Sequence, residues 1–329
     1  MVRLSREHPW RARVASIGRS PWLRVVITVA LLAVVARQID WSAMQDRVEN
    51  GHPAWALAAV ALVMAALTVG ALRWKLFLRA AGLDLTVRQI GRVYAVSTFT
   101  STFLPTSVGG DVARALLVAR RGSALARAGL TVVLDRAAAF AGLLAVALAA
   151  LVLNRDAVPT VQVHSLVVVL VLCAVVGALA LLLIVRPPAW MARRLPQRAV
   201  SPLREVRRIS HASIAVPSVA AGVAVSSLLF QVLIVLQICA IARAFSIDLT
   251  FSAAAVAFTL VTLAILMPVS IGGFGIREGS YIVLLGASGV SSTDATLISL
   301  ATVAVLFVAS VPGAVLLAMH GMRPALESA

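Results

Sequence analysis

The chain has 329 residues, of which 61% are apolar and 13% charged, and a formal charge of +16. Several apolar runs reach the roughly 20 residues that a helix needs to cross a bilayer, which makes this an integral membrane protein. The charge does not read as a nucleic-acid footprint, because the basic residues cluster in short loops between apolar spans, as expected of cytoplasmic loops.

In chain order, an arginine-rich lead (1–24) precedes a short apolar segment, Leu23 to Ala36, which reads as an anchor rather than a cleaved signal because its basic lead-in is long for an n-region. Further full spans are expected over Pro53 to Leu72, Ala137 to Leu153, Ser165 to Val185, Ile214 to Ala242 and Ala295 to Met319. Two interrupted segments lie among them, Val93 to Ala119 and Phe251 to Leu285. Cys173 and Cys239 both fall inside apolar runs and read as packing residues. The five histidines, His8, His52, His164, His211 and His320, show no ligand spacing, so neither metal nor cofactor is expected.

The interrupted segments share a pattern. Pro105-x-Ser107-Val108-Gly109-Gly110-x-x-x-Arg114 recurs 163 positions later as Pro268-x-Ser270-Ile271-Gly272-Gly273-x-x-x-Arg277. Pro105 and Pro268 each remove a backbone donor and stop the incoming helix, while the glycine pairs let the chain reverse tightly and approach a ligand. Broken backbone at membrane depth is tolerated only when buried in protein or lining a wet cavity.

Loop charge decides how these segments sit. If both are re-entrant, the loops on the cytoplasmic side carry 22 Arg and Lys and the outer loops four. If each crosses once, the division is 14 to 12 and the seven-arginine stretch 186–212 lands outside. The positive-inside rule selects the re-entrant model, with both termini (1–24 and 320–329) cytoplasmic and 154–164 an external linker. The predicted fold is therefore an all-α polytopic membrane protein with an inverted-topology repeat. Residues 25–153 hold one copy, with re-entrant motif 93–119, and 165–319 the other, with motif 251–285. Each copy reads as two spans, a re-entrant broken-helix pair and a third span. Secondary transporters use such repeats and place the substrate at the repeat interface. Phe251 to Met267 is 17 residues, about 25 Å of helix, which would set the second motif nearer the cytoplasmic side than symmetry asks.

New helix starts after Gly109-Gly110 and Gly272-Gly273 offer free N–H groups and a positive dipole end, so Arg114 and Arg277 make these natural phosphate sites. An arginine at membrane depth must find an anion, which leads us to expect Arg114 and Arg277 in one shared polar cavity, with Asp111 and Glu278 as partners when it is empty. Asp111 also reads as an N-cap, and Asp135-Arg136 as either part of the charge network or an interfacial anchor. The hydroxyls Ser97, Thr98, Thr100, Ser101, Thr102, Thr106 and Ser107 either line a polar path or satisfy freed backbone groups.

These motifs, with Asp135-Arg136, with Gly275 and Glu278 in the second copy and with the upstream Arg73-Trp74-x-x-Phe77-x-x-Ala80, resemble the lysylphosphatidylglycerol synthase transmembrane-region family from about Val25 to Met319. Asp135 stands where many relatives carry Glu. The resemblance implies a bacterial cytoplasmic membrane and lipid handling. Members include the flippase half of the multiple peptide resistance factor and membrane regions attached to dolichyl-phosphate glycosyltransferases. No loop here is long enough to fold as a tRNA-reading synthase domain, so lipid translocation is expected rather than synthesis, with an anionic phospholipid or a polyprenyl-phosphate-type lipid as cargo. Two other readings stand beside it. One is a non-catalytic partner of a glycosyltransferase or lipid-modifying enzyme, which would need no intramembrane arginines. The other is a lipid-phosphate enzyme, which the lack of a nucleophile, a base and an aspartate cluster for Mg²⁺ weakens.

Overall fold

The computed structural model describes residues 21–103, 109–119, 122–153, 205–210, 212, 216–266, 270 and 272–320. Among these the chain forms ten helices of nine residues or more and no strand: α1 (Pro21–Ala36), α2 (Trp41–Glu49), α3 (Pro53–Ala80), α4 (Val87–Phe103), α5 (Gly109–Val118), α6 (Gly122–Leu153), α7 (Pro217–Ala244), α8 (Phe251–Ile265), α9 (Ile276–Gly286) and α10 (Ser292–His320). Four of them, α3, α6, α7 and α10, are long and apolar enough to span a bilayer, and α1 with α2 makes a further apolar pair bent by 79°. The span expected over Ser165 to Val185, the linker 154–164, Pro105, Pro268, Thr106, Ser107 and Cys173 lie outside the described residues.

Helix ends differ from the sequence-based expectations for identifiable reasons. The expected span Pro53 to Leu72 stops at the first charged residue, yet α3 runs on to Ala80 because Arg73 is a good helix former and is 2% exposed, its charge met inside the protein. The helix stops at Gly82, whose φ of +70° suits a left-handed cap, with the Leu83 N–H donating to the Leu78 carbonyl at 2.9 Å. Helix α2 fills a stretch expected to be loop. Asp40 caps it by accepting from the Ser42 and Ala43 N–H groups, and the Ser42 hydroxyl, then the Ala43 amide, hold its carboxyl below the usual carboxylate range.

Helix α7 repeats the plan of α3, 164 positions later. Both start at a proline, both contain 28 residues, and α7 stops at Ser246, φ +54°, with the Ile247 N–H donating to Ala242 at 2.9 Å. The two helices pack antiparallel, since the His52 N–H before α3 donates to the Ala244 carbonyl at the end of α7. Further contacts recur in pairs: α4 packs on α10 as α8 packs on α6, and α5 lies on α4 and α6 as α9 lies on α8 and α10.

The connections gather at two ends. At one, Arg47 donates to the Phe245 and Ser246 carbonyls and pairs with Asp294, and the Ser292 hydroxyl donates to the Gln38 carbonyl. At the other, Arg127 donates to the Ala81 carbonyl, and Val206 and Ile209 pack with Leu78 and Leu83. Each interrupted segment thus leaves from and returns to one end, α4–α5 at the second and α8–α9 at the first. The Arg127 contact with Ala81 sets the start of α6 beside the end of α3. The first arms, α4 with 17 residues and α8 with 15, are similar in length.

Helices α4 and α10 approach closely at Gly313, where an added Cβ would lie 2.9 Å from the Phe99 Cβ and overlap the Ala95 carbonyl. Small residues permit such crossings in membranes. Gly313→Ala is expected to cost about 1–3 kcal/mol by overpacking, seen as a lower thermal midpoint in detergent, whereas Gly279→Ala, which meets no neighbour within 4 Å, leaves the midpoint within a degree or two.

Candidate functional site

The first motif delivers Arg114 to the middle of a buried charge cluster. Arg114 sits on α5, where its Nη1 donates to Asp135 Oδ2 of α6 at 3.0 Å, and Arg73 Nε of α3 donates to Asp135 Oδ1 at 2.8 Å. Their side chains are 8%, 3% and 2% exposed, in the order Arg114, Asp135, Arg73. Asp135 therefore serves two guanidinium groups and leaves one positive charge uncompensated. Aromatic faces supply part of the remaining stabilisation: the Arg114 guanidinium lies 4.4 Å from the Tyr94 ring centre and 5.0 Å from that of Trp74, and Arg73 stands 5.4 Å from the Phe230 ring. Trp74 is fixed by its indole N–H, which donates to the Thr131 hydroxyl at 3.0 Å. Two donors stay without a partner, Arg73 Nη1 and Arg114 Nε.

Asp111 does not partner Arg114. It lies within the first turn of α5 rather than at its cap, and Arg136 grips it bidentately at 2.9 and 3.0 Å near the surface. A carboxylate in a first helical turn is favoured by the dipole, and Arg136 points away from the buried triad because Asp135, one residue earlier on α6, faces inward. Asp135 and Arg136 thus work in separate pairs.

The second motif is built differently. Gly272, Gly273 and Gly275 adopt φ of +62°, +76° and +82°, and a Cβ on Gly273 would lie 2.8 Å from the Ile265 side chain, so this turn requires glycine twice over. Gly109 and Gly110 show no positive φ and instead open α5, with a Cβ on Gly110 only 2.9 Å from the Ser97 carbonyl. Glu278, 1% exposed, accepts from the Gly275 N–H at 2.6 Å through one oxygen. Its other oxygen accepts from Arg277 Nη2 at 2.8 Å and from the Ser299 hydroxyl of α10 at 3.2 Å. Phe274 lies beneath Arg277, 5.0 Å from ring centre to guanidinium.

Partners of Arg114 come from α3, α4 and α6, and those of Arg277 from α9, α10 and the turn before α9, with no residue in common. The two arginines thus sit in separate bonded clusters, one carrying excess positive charge and one neutral. They are related: Arg73 is residue 21 of α3 as Gln237 is residue 21 of α7, and Asp135 lies 21 positions after Arg114 as Ser299 lies 22 after Arg277. The described hydroxyls of α4, Ser97, Thr98, Thr100, Ser101 and Thr102, all donate to carbonyls three or four residues back. Tyr94 and Ser299 join the site unforeseen, while Arg73 and Trp74, noted in sequence only as part of the upstream Arg73-Trp74-x-x-Phe77 segment, prove to be members of it. Tyr94 was readable as one of only two tyrosines, set in an apolar segment.

Comparison with known proteins agrees with a membrane role. A family model described as the lysylphosphatidylglycerol synthase TM region matches residues 22–313. A UPF0104 membrane protein of Methanothermobacter thermautotrophicus is 27% identical over 318 residues, covering 88% of this chain and 94% of the relative.

Proposed function

Because the chain belongs to the lysylphosphatidylglycerol synthase transmembrane-region family, we propose that it is a lipid translocase, not an enzyme, and that it moves an anionic lipid between bilayer leaflets. The observation that carries this reading is the Arg73–Asp135–Arg114 triad, where two buried guanidinium groups share one carboxylate and keep free donors. Such a site is stabilised by an arriving phosphate, which removes the excess charge and takes up the spare N–H groups. The start of α5 adds a favourable dipole end, in the first turn occupied by Asp111. An inverted repeat in the membrane is supported by antiparallel α3 and α7 and by the return of each interrupted segment to its own end. The arginine-rich end holding 73–92 and 120–127 then faces the cytoplasm of a bacterial cell.

In this mechanism the headgroup phosphate binds at the triad from one leaflet. The two packings of a pseudo-symmetric pair then interconvert, and the phosphate reaches the Arg277–Glu278 side, where Arg277 exchanges Glu278 for it. The test is translocation in proteoliposomes, read as leaflet accessibility of a labelled lipid. Expected is transport of phosphatidylglycerol or a polyprenyl phosphate above protein-free liposomes and none of zwitterionic phosphatidylcholine. Equal rates with and without protein for every headgroup would leave a partner of a lipid-modifying or glycosyltransferase enzyme as the better reading.

A further inference from the structure

A cavity of about 470 Å³ opens between α3, α6 and α7, walled mainly by small apolar residues such as Ala138, Ala141, Gly142 and Ala224. It adjoins the triad: Phe77, one turn beyond Arg73, and Leu134, which precedes Asp135, both line it. Two hydroxyls interrupt the apolar wall, Ser210 at 5% exposure and Ser227 at 4%, and neither has a hydrogen-bond partner. Both break a strong rule, since buried hydroxyls are nearly always bonded and a serine in a helix can usually reach a carbonyl one turn back. Ser226, the neighbour of Ser227, does so through the Gly222 carbonyl.

We propose that this cavity holds the glycerol-ester region and an acyl chain of a diacyl glycerophospholipid, with ester carbonyls accepting from the Ser210 and Ser227 hydroxyls and the phosphate at the triad. The proposal rests on the lipid-handling reading above and narrows its cargo to ester lipids. The cavity gives the chain apolar walls, the hydroxyls match groups that accept but do not donate, and the free donor of Arg73 lies on the adjoining turn of α3, beside Asp135 next to Leu134. A polyprenyl phosphate carries no carbonyl at that depth and would leave both hydroxyls unpaired.

Binding is read apart from transport, by native mass spectrometry of the full chain in detergent with equimolar diacyl and dialkyl phosphatidylglycerol. These two lipids share a headgroup and differ in the carbonyls. The wild type is expected to retain the diacyl lipid at least tenfold over the dialkyl one. The Ser210→Ala/Ser227→Ala double variant is expected to fold as well as the wild type, since it removes only unpartnered hydroxyls, and to retain the two lipids equally. Equal retention by the wild type, retention of neither lipid, or a preference that survives in the double variant each overturns the proposal. A chain that keeps the preference but moves no lipid overturns the transport reading and leaves this site standing.

Discussion

Asp135→Ala is expected to destabilise the protein by about 3–5 kcal/mol, the cost of removing one partner from a buried ion pair, and to abolish recovery of a monodisperse fold. The carboxylate is the hydrogen-bonded anion of both Arg73 and Arg114, at 2.8 and 3.0 Å, and all three side chains are more than nine-tenths buried. Its loss leaves two buried guanidinium groups with no carboxylate to pair them. Arg73→Gln should behave otherwise, because it leaves Arg114 and Asp135 as a neutral pair and places at residue 21 of α3 the side chain already buried at residue 21 of α7. We expect it to cost less than half as much as Asp135→Ala. Size-exclusion profiles and thermal midpoints in one detergent compare the two directly. If the two variants were equally stable, the triad would not be an electrostatic unit.

Sequence reading located what local rules control. Apolar length marked α3, α6, α7 and α10, and the Pro and Gly-Gly pattern marked the breaks between α4 and α5 and between α8 and α9, because span length and helix interruption are local properties. Partner choice was not local. Arg73 looked like the first residue of a basic loop, and only Asp135, 62 positions away, explains why it is buried inside a longer helix. Identical glycine pairs also hid different uses, positive φ in the second motif and close helix contact in the first. Helix α2 escaped notice because none of its residues is buried, so no apolar face marks it; its one readable signal was the Asp40 cap.

The divergence between the two clusters sets the last expected result. Arg114→Ala removes one of two cations from Asp135, and Arg73 remains to pair it, so the variant is expected to fold while losing the excess charge that attracts a phosphate. Translocation of labelled phosphatidylglycerol should fall at least tenfold, about 1.4 kcal/mol or more in the transport barrier. Arg114→Lys should restore little, since an ammonium lacks the planar fork that holds Asp135 with one nitrogen, leaves another free, and lies against Tyr94 and Trp74. Arg277→Ala is a different experiment. It leaves Glu278, 1% exposed, with only the Gly275 N–H and the Ser299 hydroxyl, so lost transport would be confounded with lost folding. Arg277→Gln combined with Glu278→Gln removes both charges together and keeps hydrogen-bonding groups at the turn. This double variant is expected to retain its fold and still to lose most transport, because a phosphate leaving the triad would then meet no cation on the second side. If it transported at the wild-type rate while Arg114→Ala did not, phosphate would be handled by the first cluster alone, and the exchange between two half-sites would be wrong.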